Sequence, residues 1–187
     1  MLHRHPDGTL PRLTFIRVKS LRECKQSGGY NPPASIFSLM QGTPDVDKGQ
    51  YWDAAGLAVA LAGGAEVAAG QMSVSFRDEG VIEITLHDCG DLPVIVGVEG
   101  KEIQASVLLD PVDSVRDAPA FQNRLLRANK LLPLSTFGIT EVSGKSHYEI
   151  FGQLSGGSQI EEIVEEVETL GRNALEAAEM IQSWNKG

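Results

Sequence analysis

The sequence is poor in the groups that usually mark an active site. Its two cysteines, Cys24 and Cys89, lie far apart and neither has a C-x-x-C partner, so neither a disulfide framework nor a paired-thiolate zinc site is expected. No apolar run approaches the roughly 20 residues that a membrane span requires, and none of about 7 to 15 residues follows the basic N-terminus. These absences predict no membrane span, no secretory signal and a reducing, cytoplasmic setting. Positive charge is scarce as well: 16 Lys and Arg stand against 25 Asp and Glu, a formal charge of -9. Such a balance opposes nucleic-acid binding, which needs positive potential to displace counterions from phosphates. The glycine pairs Gly63-Gly64 and Gly156-Gly157 lack the frame and lysine of a phosphate-binding loop and read as a helix stop and a helix entry.

What is present is an ordinary globular body with an unusual start. The 187 residues, 42% of them hydrophobic, suffice for one domain with a substantial core. Residues 1–50 hold seven Lys and Arg against four Asp and Glu, whereas the rest holds nine against twenty-one. Pro6, Pro11, Pro32, Pro33 and Pro44, with several glycines, break residues 1–50 so often that only Leu13 to Cys24 is left as a candidate regular element. This segment is expected to be an extension of loop or disorder, with a start at Met40 as the alternative, and residues 51–187 a single domain.

Within that domain the period of the apolar residues alternates between helix and strand. Trp52, Ala55, Val59 and Ala62 predict a first helix, ended by Gly63-Gly64. Period-two alternation follows in 72–76, 81–86, 94–98 and 103–109, with turns short enough to require antiparallel neighbours. Asp117 reads as the N-cap of a second helix carrying Phe121, Leu125, Ala128 and Leu132, which Pro133 terminates. Residues 135–140 and 147–155 read as a hairpin around Val142-Ser-Gly-Lys145. Ser158-Gln-Ile-Glu161 reads as a capping box opening a long helix, with Ile160, Ile163, Val164, Val167, Leu170, Ala174 and Ala178 inward and Glu161, Glu162, Glu165, Glu166 and Glu168 outward. The order helix, three or four strands, helix, two strands, helix predicts an α+β two-layer sandwich, an antiparallel sheet with helices on one face.

No constellation in this pattern points to catalysis. Cys89 beside His87 and Asp88 is the best nucleophile candidate, yet its acidic surroundings would raise rather than lower a thiol pKa. A strand-end structural role is expected, with a cysteine-dependent redox or hydrolytic enzyme using Cys89 and His87 as the alternative. His3, His5, His87 and His147 make no zinc frame, and the glutamate row of the last helix reads as a solvated face. No metal, no cofactor and no enzymatic activity are predicted.

Surfaces are the remaining place for function. Strand alternation assigns Val81, Thr85, Ile95, Leu108, His147, Glu149 and Phe151 to the sheet face away from the helices. Ile95, Leu108 and Phe151 are large apolar residues where a solvated face would carry polar ones, which predicts a homodimer or client contact. Arg124, Arg127 and Lys130 recur at helical spacing on the second helix and could meet an acidic partner. A third reading places Arg12, Arg17, Lys19 and Arg22 of the N-terminal segment against a membrane surface.

Three stretches, DCGDLPVIV at 88–96, LRANKLLPLSTFGI at 126–139 and YEIFGQLS at 148–155 followed by IVEEVETL at 163–170, resemble the YjfI-like family of uncharacterised bacterial proteins. The resemblance covers roughly residues 51–183. It implies no established enzymatic activity, and it implies an association with a PspA-like membrane-stress protein as partner. The element order is also similar to that of type III secretion chaperones and YbjN-like proteins, which implies an acidic, dimeric α/β sandwich that binds segments of another protein.

Overall fold

The computed structural model describes residues 51–77 and 80–187, so the expected N-terminal extension, with Arg12, Arg17, Lys19 and Arg22, lies outside the described residues. Two helices open the domain, α1 (Ala54–Ala62) and the single turn α2 (Ala65–Ala68). Four strands follow: β1 (Met72–Phe76), β2 (Val81–Leu86), β3 (Leu92–Glu99) and β4 (Glu102–Pro111). Then come α3 (Ala118–Ala128), β5 (Thr136–Val142), β6 (Lys145–Ser155) and α4 (Ile160–Lys186). The six strands form one sheet in the order β1-β2-β3-β4-β6-β5, every neighbouring pair antiparallel. The architecture is therefore α+β with helices over one sheet face, as the periodicity predicts.

Alternation explains the core. Ile82, Ile84, Val94, Val96, Ile103, Ala105, Val107 and Ile150 are all buried and belong to one hydrophobic cluster with Ile163, Val167, Leu170 and Ala174 of α4. Each buried aliphatic side chain contributes about 1.5–3 kcal/mol relative to exposure, so this face dominates the stability of the domain. Asp117 caps α3 as expected, accepting from the Ala120 amide. Phe121 then packs edge-on to Tyr148 at 5.4 Å and against Trp184 at 5.3 Å. The far end of α4 is tied to the segment before α3: the Trp184 indole donates to the Arg116 carbonyl at 2.6 Å, and the Arg116 amide donates to Asn185 at 2.9 Å.

Three local expectations are corrected. The face of α1 is not the Ala55–Val59 stripe: Leu57, Ala58 and Leu61 are buried while Val59 is exposed. The helix is AAGLAVALA, apolar on every side, so periodicity cannot choose its phase. The capping box is displaced by one residue, with Gln159 as N-cap and its amide donating to the Glu162 carboxylate at 2.9 Å. Glu166 is not on the solvated face but is only 2% exposed. The segment between α3 and β5 straps one flank of α4, where the Asn173 amide donates to the Pro133 carbonyl at 2.9 Å and to the Ser135 hydroxyl at 3.0 Å. Glu166 shares that flank, and both its Oε1 and the Leu134 carbonyl lie within 3 Å of where a Cβ on Gly152 would stand.

Candidate functional site

The sheet face away from the helices is built by the residues out of phase with the core. Register places Ile95 opposite Ser106, Ser106 opposite Phe151, and Phe151 opposite Thr136, one lateral row across β3, β4, β6 and β5. Leu108 stands two residues along β4, opposite Glu149, diagonal to Phe151 and within reach of it. The three predicted apolar residues thus share one face of adjacent strands, and all three are half-buried. Their neighbours are mixed: Glu83, Thr85, Pro93, Gln104, Ser106 and Gln153 lie on the same face by alternation.

Phe151 does not stand up from the sheet. A Cβ on Gly138 of β5 would lie 2.9 Å from the edge of its ring and 3.0 Å from the Glu149 carboxylate, so both side chains lean over the backbone that the glycine leaves bare. Cross-strand aromatic cover of this kind shields an otherwise wet edge strand. Burial pushes the Glu149 carboxyl above its usual range. His147, assigned to the same face, is 1% exposed, sitting where the β4–β6 register shifts between Leu108 and Pro111, with its Nδ1 3.0 Å from the Lys145 carbonyl. The unbroken β5–β6 register keeps it in phase with Glu149 and Phe151, so the outer face is buried at this end of β6.

The predicted cations lie in the helix layer. Arg124 and Arg127 are exposed on α3 and Lys130 is exposed in the short 3₁₀ turn that continues it. Arg127 donates to Asn123 at 2.8 Å one turn earlier. Arg124 and Arg127 are therefore separated from Ile95, Leu108 and Phe151 by the thickness of the sheet, and the two predicted surfaces are distinct.

The sequence neighbours of Cys89 do not continue β2 as a strand. His87–Cys89 form a 3₁₀ turn, with His87 Nδ1 at 2.7 Å from the Asp91 carboxylate. The Cys89 sulfur lies 3.4 Å from where a Cβ on Gly171 of α4 would be and packs against the core cluster. The same Cβ would meet the Leu86 Cδ1 at 2.4 Å, so Gly171 lets the end of Leu86 close onto α4. Among the described residues no group of three or more His, Cys, Asp or Glu is arranged to hold a metal ion. Nor is any helix among them long and apolar enough to cross a membrane.

Two features were missed from sequence. Leu126, Leu131, Leu134 and Ile139 stand exposed around α3 and β5. Glu166 is the other: burial first, and the neighbouring Glu165 second, push its carboxyl up to about 6. Gly152 beneath it was the available signal, since a glycine inside a strand often marks close approach by another group.

Comparison with known proteins agrees with the residue-level resemblance. A family described as "Uncharacterized protein conserved in bacteria (DUF2170)" matches residues 51–185. The "Uncharacterized protein YjfI" of Escherichia coli K12 is 32% identical over 109 residues, covering 58% of this chain and 82% of that one, and the protein of the same name from E. coli O157:H7 matches equally. Among solved structures, YbjN, a putative transcription regulator from E. coli, aligns at TM-score 0.46 and 14% identity, over 64% of this chain and 89% of that one. The HopA1–SchA chaperone–effector complex aligns at TM-score 0.41 and 16% identity, over 65% and 88%. With a match that spans nearly all the described residues, the chain belongs to the uncharacterised bacterial DUF2170 family and is YjfI-like.

Proposed function

We propose that this chain is a non-enzymatic, chaperone-like interaction protein of the cytoplasm, which pairs with a second copy through the outer sheet face. The observation that carries this reading is the row of Ile95, Leu108 and Phe151 on adjacent strands, half-buried on a face that the helices do not cover. Large apolar groups grouped on one surface lose water-exposed area when another surface covers them. Arg124 and Arg127, on the opposite layer, then serve to attract an acidic client. The PspA-like membrane-stress protein implied by the family resemblance is the client this reading favours.

Light scattering tests the pairing. Wild-type protein is expected near twice the 20.1 kDa chain mass, and Phe151→Asp near the single mass with an unchanged circular dichroism spectrum. An unaltered mass for the folded variant would remove the outer face from the dimer.

A further inference from the structure

Of the four exposed apolar residues around α3 and β5, Leu126 at 73% and Ile139 at 51% frame a strand edge that is half closed. The Asn129 side chain accepts from the Phe137 amide at 2.8 Å and donates towards the Phe137 carbonyl at 3.5 Å, the contacts a neighbouring strand would make. Phe137 therefore turns its peptide groups away from β6. Because these orientations alternate along an antiparallel strand, Ile139 and Glu141 turn theirs outward too. Among the described residues no other side chain plugs the edge as Asn129 does, so the second half of β5 offers unpaired donors and acceptors.

Leu126 belongs to the same place. Asn129, three residues after it on the same helical face, reaches the Phe137 backbone of β5. Leu126, one turn earlier, lies on that flank of α3. Ile139 is paired with Tyr148, so its side chain emerges on the same, helix-covered face of the sheet. Charge is also distinctive here: residues 118–140 contain Arg124, Arg127 and Lys130 and not one Asp or Glu, in a chain of net charge -9.

We propose that the open half of β5 is a docking site for an extended segment of another protein, apolar on one face and flanked by acidic residues, which adds as a seventh strand. Its apolar side chains cover Ile139 and Leu126, and its carboxylates lie at the end of the strand where Lys130 and Arg127 stand. A second copy of this chain fits poorly. Pairing β5 with another β5 sets Ile139 against Glu141, Glu141 against itself, or Glu141 against the blocked Phe137. The site is separate from the outer sheet face and does not depend on the pairing proposed there.

Short peptides selected from a random library on the full chain test this site. The expected winners carry an apolar stretch beside Asp or Glu. Their binding slows amide hydrogen exchange at Ile139 and Glu141, the outward-facing positions. Leu126→Glu and Ile139→Lys should each weaken them about tenfold or more, the scale of a central contact. Glu141→Pro, which removes one outward amide and no ladder bond, should weaken them while circular dichroism stays unchanged. Phe151→Asp should leave them unaffected. Failure to enrich any peptide, enrichment of basic or patternless sequences, or affinities indifferent to the three β5 and α3 variants would overturn the proposal. So would a fall in the mass of the unliganded protein on Ile139→Lys, which would make the occupant a second copy.

Discussion

The two faces of the one sheet are made by alternate residues of the same strands, yet they are built for different ends. Against the helices, Ile84, Val94, Ile103 and Ile150 have no exposed surface at all. On the other side the same strands carry Glu83, Ile95, Ser106, Leu108 and Phe151, half-buried where they are apolar and interspersed with polar groups. The contrast shows that strand composition alone does not measure stability. An isoleucine facing α4 is held on all sides, while one facing outward has free space to relax into.

The largest effect expected from this contrast is in truncation. Ile150→Ala leaves a cavity under α4 and should destabilise the domain by about 3–4 kcal/mol, whereas Ile95→Ala should cost about 1 kcal/mol or less. Urea unfolding of both variants measures the difference, and equal values would erase the distinction between the faces.

Adding a methyl group probes the same contrast from the opposite direction. Gly152→Ala pushes a Cβ into the Glu166 carboxyl and towards the Leu134 carbonyl, one of them backbone that cannot swing aside. A destabilisation of about 2–3 kcal/mol is expected, typical of overpacking. Gly138→Ala meets the edge of the Phe151 ring and the end of Glu149, both able to turn outward, so about 1 kcal/mol is expected. Thermal unfolding ranks the pair.

The smallest effect is electrostatic and sharpens the comparison across β6, since Glu166 lies over one face of this strand and Glu149 projects from the other. Folding raises the Glu166 carboxyl to about 6 from an ordinary 4.5, so its protonated form is the one the fold favours. Its contribution is fully present below pH 4.5 and is lost as pH rises through 6. Stability should therefore fall by about 2 kcal/mol from well below pH 4.5 to well above pH 6 in wild type relative to Glu166→Gln. Glu149→Gln should remove a weaker dependence of the same sign, because burial raises that group too. Chemical denaturation at a series of pH values measures both, and a wild-type slope matching that of Glu166→Gln would show that the strap over α4 leaves Glu166 in contact with water.

Much of this was legible beforehand, for reasons that are local. Val81 to Leu86 alternates with period two because one side of the strand must be dry, and Asp117 caps α3 because its side chain lies within reach of the Ala120 amide. The outer-face positions of Ile95, Leu108 and Phe151 follow from the same alternation once the strands are recognised. The face of α1 was not legible, since an apolar helix has no preferred side until something packs against it. The displaced capping box at Gln159 differs from the expected frame by one residue, a distinction that composition at a helix start does not make.

By itself the sequence determined the elements, their antiparallel character and the alternation that separates a dry face from a mixed one, because each depends on neighbours within a few residues. The tertiary structure alone decided that β6 lies between β4 and β5, which leaves β5 as an edge. It alone decided that Glu166 is buried beside the strap at Pro133–Ser135 and that Asn129 closes only half of that edge. These outcomes depend on which distant segment packs against a given flank. That is settled by how the whole chain packs, and no residue's own chemistry or spacing records it.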